Sequence, residues 1–132
     1  MYLLDSNSVI AVLKGHLGLL SRMRAHRPRE FAISSIVAHE LYYGAYKSQR
    51  VQENLARIDS LLFEILPFDG EDARCASEIR ADLAAAGTPI GPYDILIAGQ
   101  ALSRGLTLIT HNMREFQRIR SLRIEDWEVD TP

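Results

Sequence analysis

Short apolar runs alternating with helix-patterned segments constrain this chain more than any other feature of it. Tyr2-Leu3-Leu4, Phe31-Ala32-Ile33, Glu64-Ile65-Leu66-Pro67, Leu106 through Thr110 and Leu122-Arg123-Ile124 read as strands. The segments between them repeat apolar residues at helical spacing. Such alternation predicts an α/β fold with a short, mostly parallel central sheet covered on both faces. Ligands of such sheets bind outside the carboxyl ends of the strands, where the strand order switches. Asp5 and Asn112 each lie just past an apolar strand, so this geometry brings them together.

The helices have recognisable ends. Ser6 or Asn7 caps a first helix, whose Val9, Ile10 and Leu13 recur on one face until Gly15. A second covers Leu17 to His26 and is closed by Pro28, and Ser34 or Ser35 caps the helix that carries Glu40. A further helix is expected over about residues 52–62. Asp69 caps an alanine-rich helix running to Gly87, and Gly91-Pro92 opens one that continues to Gly105. Asn112-x-x-Glu115 has capping-box spacing at the start of a short helix.

The length of 132 residues fits a single domain, residues 1–132, and a 47% hydrophobic content argues against disorder. A formal net charge of -2 and a pI near 6.1 exclude a strongly basic nucleic-acid binder, while leaving room for a local basic face. The single Cys75 excludes an intramolecular disulfide and a cysteine zinc site, and is expected to be a small buried apolar group. Neither a basic leader with a long apolar stretch nor a bilayer-spanning run is present, so a cytoplasmic protein without membrane contact is the expectation.

Asp5, Glu40 and Asp94 stand at predicted junctions or on helices whose apolar faces meet the core. Carboxylates gathered at one sheet edge repel one another unless a cation joins them, and oxygen-only ligands favour magnesium or manganese. Each has a simpler reading. Asp5 suits a helix cap, Glu40 a solvated helix surface, and Asp94 a carboxylate favoured by the helix dipole. The aspartyl-phosphatase pattern fails because Asn7 stands where a second Asp is needed. A phosphoacceptor domain lacks its lysine near Thr110-His111-Asn112. His39-Glu40-Leu41-Tyr42-Tyr43 starts like a zinc-protease helix but lacks the second histidine at Tyr43, so His39 is read as a surface residue.

Taken in order, Leu4-Asp5-Ser6-Asn7, Ser34-Ser35 to Glu40-Leu41 with Gly44, Pro92-Tyr93-Asp94-x-x-Ile97-Ala98, and Thr110-His111-Asn112-x-x-Glu115-Phe116 resemble the four signatures of PIN-domain ribonucleases. More closely, the chain resembles the VapC toxins of bacterial toxin–antitoxin modules, and the likeness covers essentially its whole length.

The resemblance implies a three-layer α/β/α sandwich and a magnesium- or manganese-dependent endoribonuclease acting on structured RNA, with transfer RNA favoured. Asp5, Glu40 and Asp94 match the family's catalytic, metal-binding acids. Asn112 stands where many members carry aspartate, which weakens the case for a second tightly held metal. Ser6, Asn7, Thr110 and Glu115 would line the site. Lys14, Lys47, Arg50, Arg104 and Arg114 are candidates for phosphate contacts, and Tyr42, Tyr43 and Tyr46 for base stacking. Members of the family form homodimers and bind a cognate antitoxin whose C-terminal segment lies in an apolar groove. The alternatives are an RNA-processing nuclease without a toxic role and a catalytically idle PIN-like binding module.

Overall fold

The computed structural model describes residues 1–129. Its strands are β1 (Tyr2–Leu4), β2 (Phe31–Ser34), β3 (Glu64–Leu66), β4 (Thr107–Ile109) and β5 (Ile124–Glu125). Its helices are α1 (Ser6–Leu13), α2 (Leu17–Arg24), α3 (Ser35–Tyr46), α4 (Val51–Asp59), α5 (Gly70–Ala85), α6 (Pro92–Ser103) and the short α7 (Met113–Phe116). The five strands form one sheet in the order β3-β2-β1-β4-β5, and every pairing is parallel. The helices flank this sheet, giving the α/β sandwich expected.

From β1 the chain moves outward through β2 to β3, then crosses back to lay β4 on the other side of β1. The direction of winding therefore reverses between β1 and β4. Their register pairs Leu3 with Leu108 and Leu4 with Ile109, so the next residues, Asp5 and Thr110, emerge side by side at the carboxyl edge. The strands are short and almost wholly apolar because both faces are covered; Leu3, Leu4, Ala32, Leu108 and Ile109 are buried.

Several boundaries differ from the expectation. Asp5 itself, rather than Ser6 or Asn7, caps α1. Helix α2 ends at Arg24, and Pro28 opens a separate 3₁₀ turn, Pro28–Glu30. Helix α4 stops at Asp59, and Leu62 beyond it turns into the left-handed region at φ 55°. The last strand keeps only Ile124 and Glu125. Cys75 is half-buried rather than buried; burial, then the nearby carboxylates of Glu78 and Asp72, raise its thiol pKa.

Helices α5 and α6 lie against each other so closely that a methyl group on Gly99 would come within 2.5 Å of Ala76 Cβ. Beside this contact, Gln100 is fully buried and its Nε2 donates to the carbonyls of Leu66 and Pro67 and to Asp72. Side chains of α6 are thus fixed to the end of β3, and the helix is held in place before its first turn reaches the site.

Candidate active site

Asp5 is only 4% exposed, and both of its carboxylate oxygens are engaged. Oδ1 accepts the backbone N–H of Ser8 at 2.9 Å, the bond that caps α1, and Oδ2 accepts the Thr110 hydroxyl at 2.5 Å. The cap and the site are therefore one arrangement. Thr110 Oγ1 also accepts the backbone N–H of Asn112 at 3.0 Å, so a chain of bonds runs across the switch from β1 into the loop after β4. Ser8, which the motif reading passed over, ties α1 to β4 by donating its hydroxyl to the Ile109 carbonyl at 3.1 Å. Its distance of three residues from Asp5 is the cap spacing that would have revealed it.

Glu40 approaches from α3, which starts at the carboxyl end of β2 where Ser34 caps it through the N–H of Ile36. It is half-buried, not a solvated surface residue, and its Oε1 accepts the Ser6 hydroxyl at 2.6 Å. That bond joins the first turn of α1 to the middle of α3. Asp94 lies in the first turn of α6, where Pro92 occupies the opening position. Burial, followed by the charges of Asp5, Glu115 and Glu40, pushes its carboxyl up to about 6 from an ordinary 3.8. Every electrostatic influence on Asp94 is acidic, so four carboxylates share one neighbourhood.

Asn112 caps α7 without a side-chain bond to the backbone, so the expected capping box does not form. Its amide Nδ2 instead donates to Glu115 Oε2 at 3.1 Å, orienting that carboxylate. The negative charge absent from position 112 is supplied one turn later by Glu115. Asn7 is exposed on α1.

Among the described residues, no Lys or Arg forms an ion pair with Asp5, Glu40, Asp94 or Glu115. Buried carboxylates that oppose one another's ionisation without a basic partner suit a hard divalent cation by their chemistry; the cluster whose ligand atoms already lie within 4.8 Å of one another among the described residues is His111, Asp126 and Glu128. Oxygen donors without a basic partner are the ligand type such an ion takes.

The expected phosphate contacts separate into two groups. Lys14, Lys47, Arg50 and Arg114 are exposed, Arg50 with Glu53 at 3.1 Å and Lys47 with its ammonium 5.0 Å from the Tyr43 ring. Arg104 is committed elsewhere. Its guanidinium contacts Asp72 at 3.0 Å and Asp69 at 3.6 Å and donates to the Pro67 carbonyl, which corrects its reading as an RNA contact. Asp72 is 1% exposed, and burial alone would raise its pKa. Arg104, the Ser103 hydroxyl and the Asp69 backbone outweigh that and hold it below its ordinary value. Arg104→Ala therefore lowers Tm and leaves RNA KM unchanged. Because the folded pKa of Asp72 is depressed, the lost stability is seen above its unfolded pKa and fades in acid. Equal melting of variant and parent at neutral pH would contradict this. Tyr42 is also structural, packed on the core with its hydroxyl donating to Asp59 at 2.8 Å, whereas Tyr43 and Tyr46 are exposed.

The PIN domain family model matches residues 2–122 of the chain. The chain is 43% identical to the tRNA(fMet)-specific endonuclease VapC of Salmonella typhimurium, across 96% of this chain and 97% of that one. It is 42% identical to ribonuclease VapC2 of Haemophilus influenzae over the same shares. Among solved structures, DNA-bound VapBC from Salmonella typhimurium superposes with a TM-score of 0.89 at 44% identity, covering 96% of this chain and 97% of the other. VapBC-1 from nontypeable Haemophilus influenzae does so with a TM-score of 0.88 at 31% identity, covering 97% and 98%.

Proposed function

The chain belongs to the PIN-domain family as a VapC-type endoribonuclease, and from that premise we propose that it hydrolyses transfer RNA at the Asp5–Glu40–Asp94 site. The observation that carries this reading is the gathering of Asp5, Glu40, Asp94 and Glu115 at the carboxyl edge of the sheet. There burial and the three other acids push the Asp94 carboxyl up to about 6, and, among the described residues, no Lys or Arg pairs with any of them. Magnesium or manganese is the ion assigned to the site, with Asp5, Glu40 and Asp94 as its holders and Asn112 and Glu115 beside them. A divalent cation supplies polarisation of the phosphate and a lowered pKa for water.

The chain's own groups set the rest. The bonds from Ser8 and Thr110 fix the rotamer of Asp5, and Ser6 fixes Glu40, so the acids are oriented before RNA arrives. A site carboxylate accepts the proton lost by the attacking water. With water as nucleophile the ribose 2′-hydroxyl has no part, and the products carry 5′-phosphate and 3′-hydroxyl ends.

The toxin role, rather than RNA processing, is supported by relatives solved as VapBC complexes. Those complexes support a cognate antitoxin as the partner; a homodimer working in the cytoplasm is part of the same proposal and rests on the family resemblance alone. No helix among the described residues is long and apolar enough to cross a membrane. An idle binding module is disfavoured because every acid of the trio is present and hydrogen bonds orient two of them, Asp5 and Glu40.

Total RNA incubated with purified protein tests the function. Discrete transfer-RNA fragments are expected with magnesium or manganese and none in EDTA; cleavage that persists in EDTA would contradict the reading. Metal binding has its own pH signature. The proton on Asp94 competes with the cation below pH about 6, so manganese raises Tm at about pH 7.5 and loses this effect near pH 5. A manganese shift of equal size at both pH values would count against Asp94 as a ligand.

A further inference from the structure

Two aromatic rings stand at the mouth of the site, each one residue from a carboxylate. His39 precedes Glu40 on α3, and Tyr93 precedes Asp94 at the start of α6. They meet edge to face with centroids 5.9 Å apart. Both are exposed, Tyr93 by 46%, and both line a groove of about 840 Å³ that also contains Ser6, Asn7 and Glu40. One helical turn beyond His39 on α3 comes Tyr43, 60% exposed, with the Lys47 ammonium above its ring one turn further on.

A single exposed ring needs no explanation, but a row of them beginning at a catalytic centre does. Tyr42 provides the contrast on the same helix: it packs on the core, and its hydroxyl has a partner in Asp59. Among the described residues, the hydroxyls of Tyr43 and Tyr93 have no hydrogen-bond partner, so these rings are not placed by the fold's polar requirements. Unpaired bases are held by stacking on aromatic faces, with cationic side chains beside the backbone. His39 and Tyr93 share their groove with Glu40, and each directly precedes a site acid in the chain, which puts them beside the strand that a phosphate at those acids would belong to.

Resting on the ribonuclease reading, we propose that His39 and Tyr93, packed edge to face, form a platform on which the unpaired nucleobase beside the scissile phosphate stacks against Tyr93, and that Tyr43 and Lys47 extend this track along α3. These are positioning residues. They select where the strand is cut by requiring a base that can leave its stack, while the carboxylates perform the hydrolysis.

The probe is a short single-stranded oligoribonucleotide carrying 2-aminopurine, bound to protein silenced by Glu40→Gln. Stacking on Tyr93 quenches the probe, Tyr93→Phe keeps the quench, and Tyr93→Leu removes it while leaving Tm within a few degrees. In the active protein Tyr93→Leu raises KM roughly tenfold, in line with the loss of one stacked base, with kcat little changed. Undiminished quenching in Tyr93→Leu would overturn the platform, as would a Phe variant as impaired as Leu. So would a Leu variant that loses only binding to an antitoxin peptide while its RNA parameters stay intact. Failure of the ribonuclease reading would look different, since the parent protein itself would then cleave nothing with metal present.

Discussion

Asp94→Asn abolishes RNA cleavage and, in the same protein, raises the melting temperature of the metal-free form at neutral pH. Replacing a residue that merely orients a metal ligand costs about 10- to 100-fold in affinity or activity, so loss of a carboxylate ligand itself exceeds about a hundredfold. The gain in stability follows from the pKa. Asp94 titrates at about 6 in the folded protein against an ordinary 3.8, because burial and the charges of Asp5, Glu115 and Glu40 oppose its ionisation. The folded state binds the proton more tightly than the unfolded state, so stability falls as pH rises from about 4 to about 6, and the full penalty persists above that range. Asparagine carries no such penalty. Thermal melts in EDTA should therefore show the variant above the parent at about pH 7.5, with the difference gone near pH 4. Retained cleavage, or a variant that melts lower at neutral pH, would show that Asp94 is a structural residue and not part of an electrostatically strained site.

Gly99→Ala has the largest effect expected on the fold itself. The added Cβ would lie 2.5 Å from Ala76 Cβ, 2.6 Å from its Cα and 2.7 Å from its backbone nitrogen. Two of those atoms belong to the backbone of α5, so no rotamer change relieves the contact and the helices must separate. Overpacking of a close-packed interior costs about 1–3 kcal/mol or more, and a backbone clash belongs at the upper end, which corresponds to a Tm loss of roughly 10 °C. Ala76→Gly should not rescue the variant, because the Cα and nitrogen clashes remain. Since α6 also carries Asp94, whatever protein still folds should cleave RNA more slowly. A Gly99→Ala protein melting with the parent would contradict the close contact between α5 and α6 at this glycine.

The parts of this molecule legible in its sequence are those governed by local rules. Short apolar runs bounded by Asp5, Ser34 and Thr110 marked the carboxyl ends of strands, and Pro92 marked the start of the helix bearing Asp94. The family resemblance then selected which acids matter. For Asp5 the cap reading holds: one oxygen takes the Ser8 N–H, and the other takes the Thr110 hydroxyl from across the sheet. What remained hidden depends on residues brought together from far apart. Ser6 and Glu40 lie 34 positions apart, and nothing local announces their hydrogen bond. Arg104 looked like a free cation until the fold set it against the buried Asp72, 32 positions away. Asn112 and Glu115 had the right spacing for a capping box, but the Asn112 side chain bonds to the Glu115 carboxylate instead. Helix α4 ends early at Asp59, and the left-handed turn beyond it falls on Leu62, a residue type that gives no turn signal.

In the proposed reaction these carboxylates direct water, rather than a ribose hydroxyl, at the phosphate. This is tested most directly on a transfer RNA substrate carrying a single 2′-deoxy substitution at the cleaved linkage, with magnesium present and EDTA as control. The account predicts metal-dependent cleavage of the substituted RNA at a rate close to that of the natural one, leaving a 5′-phosphate. Blocked cleavage, or a 2′,3′-cyclic phosphate on the natural substrate, would contradict it.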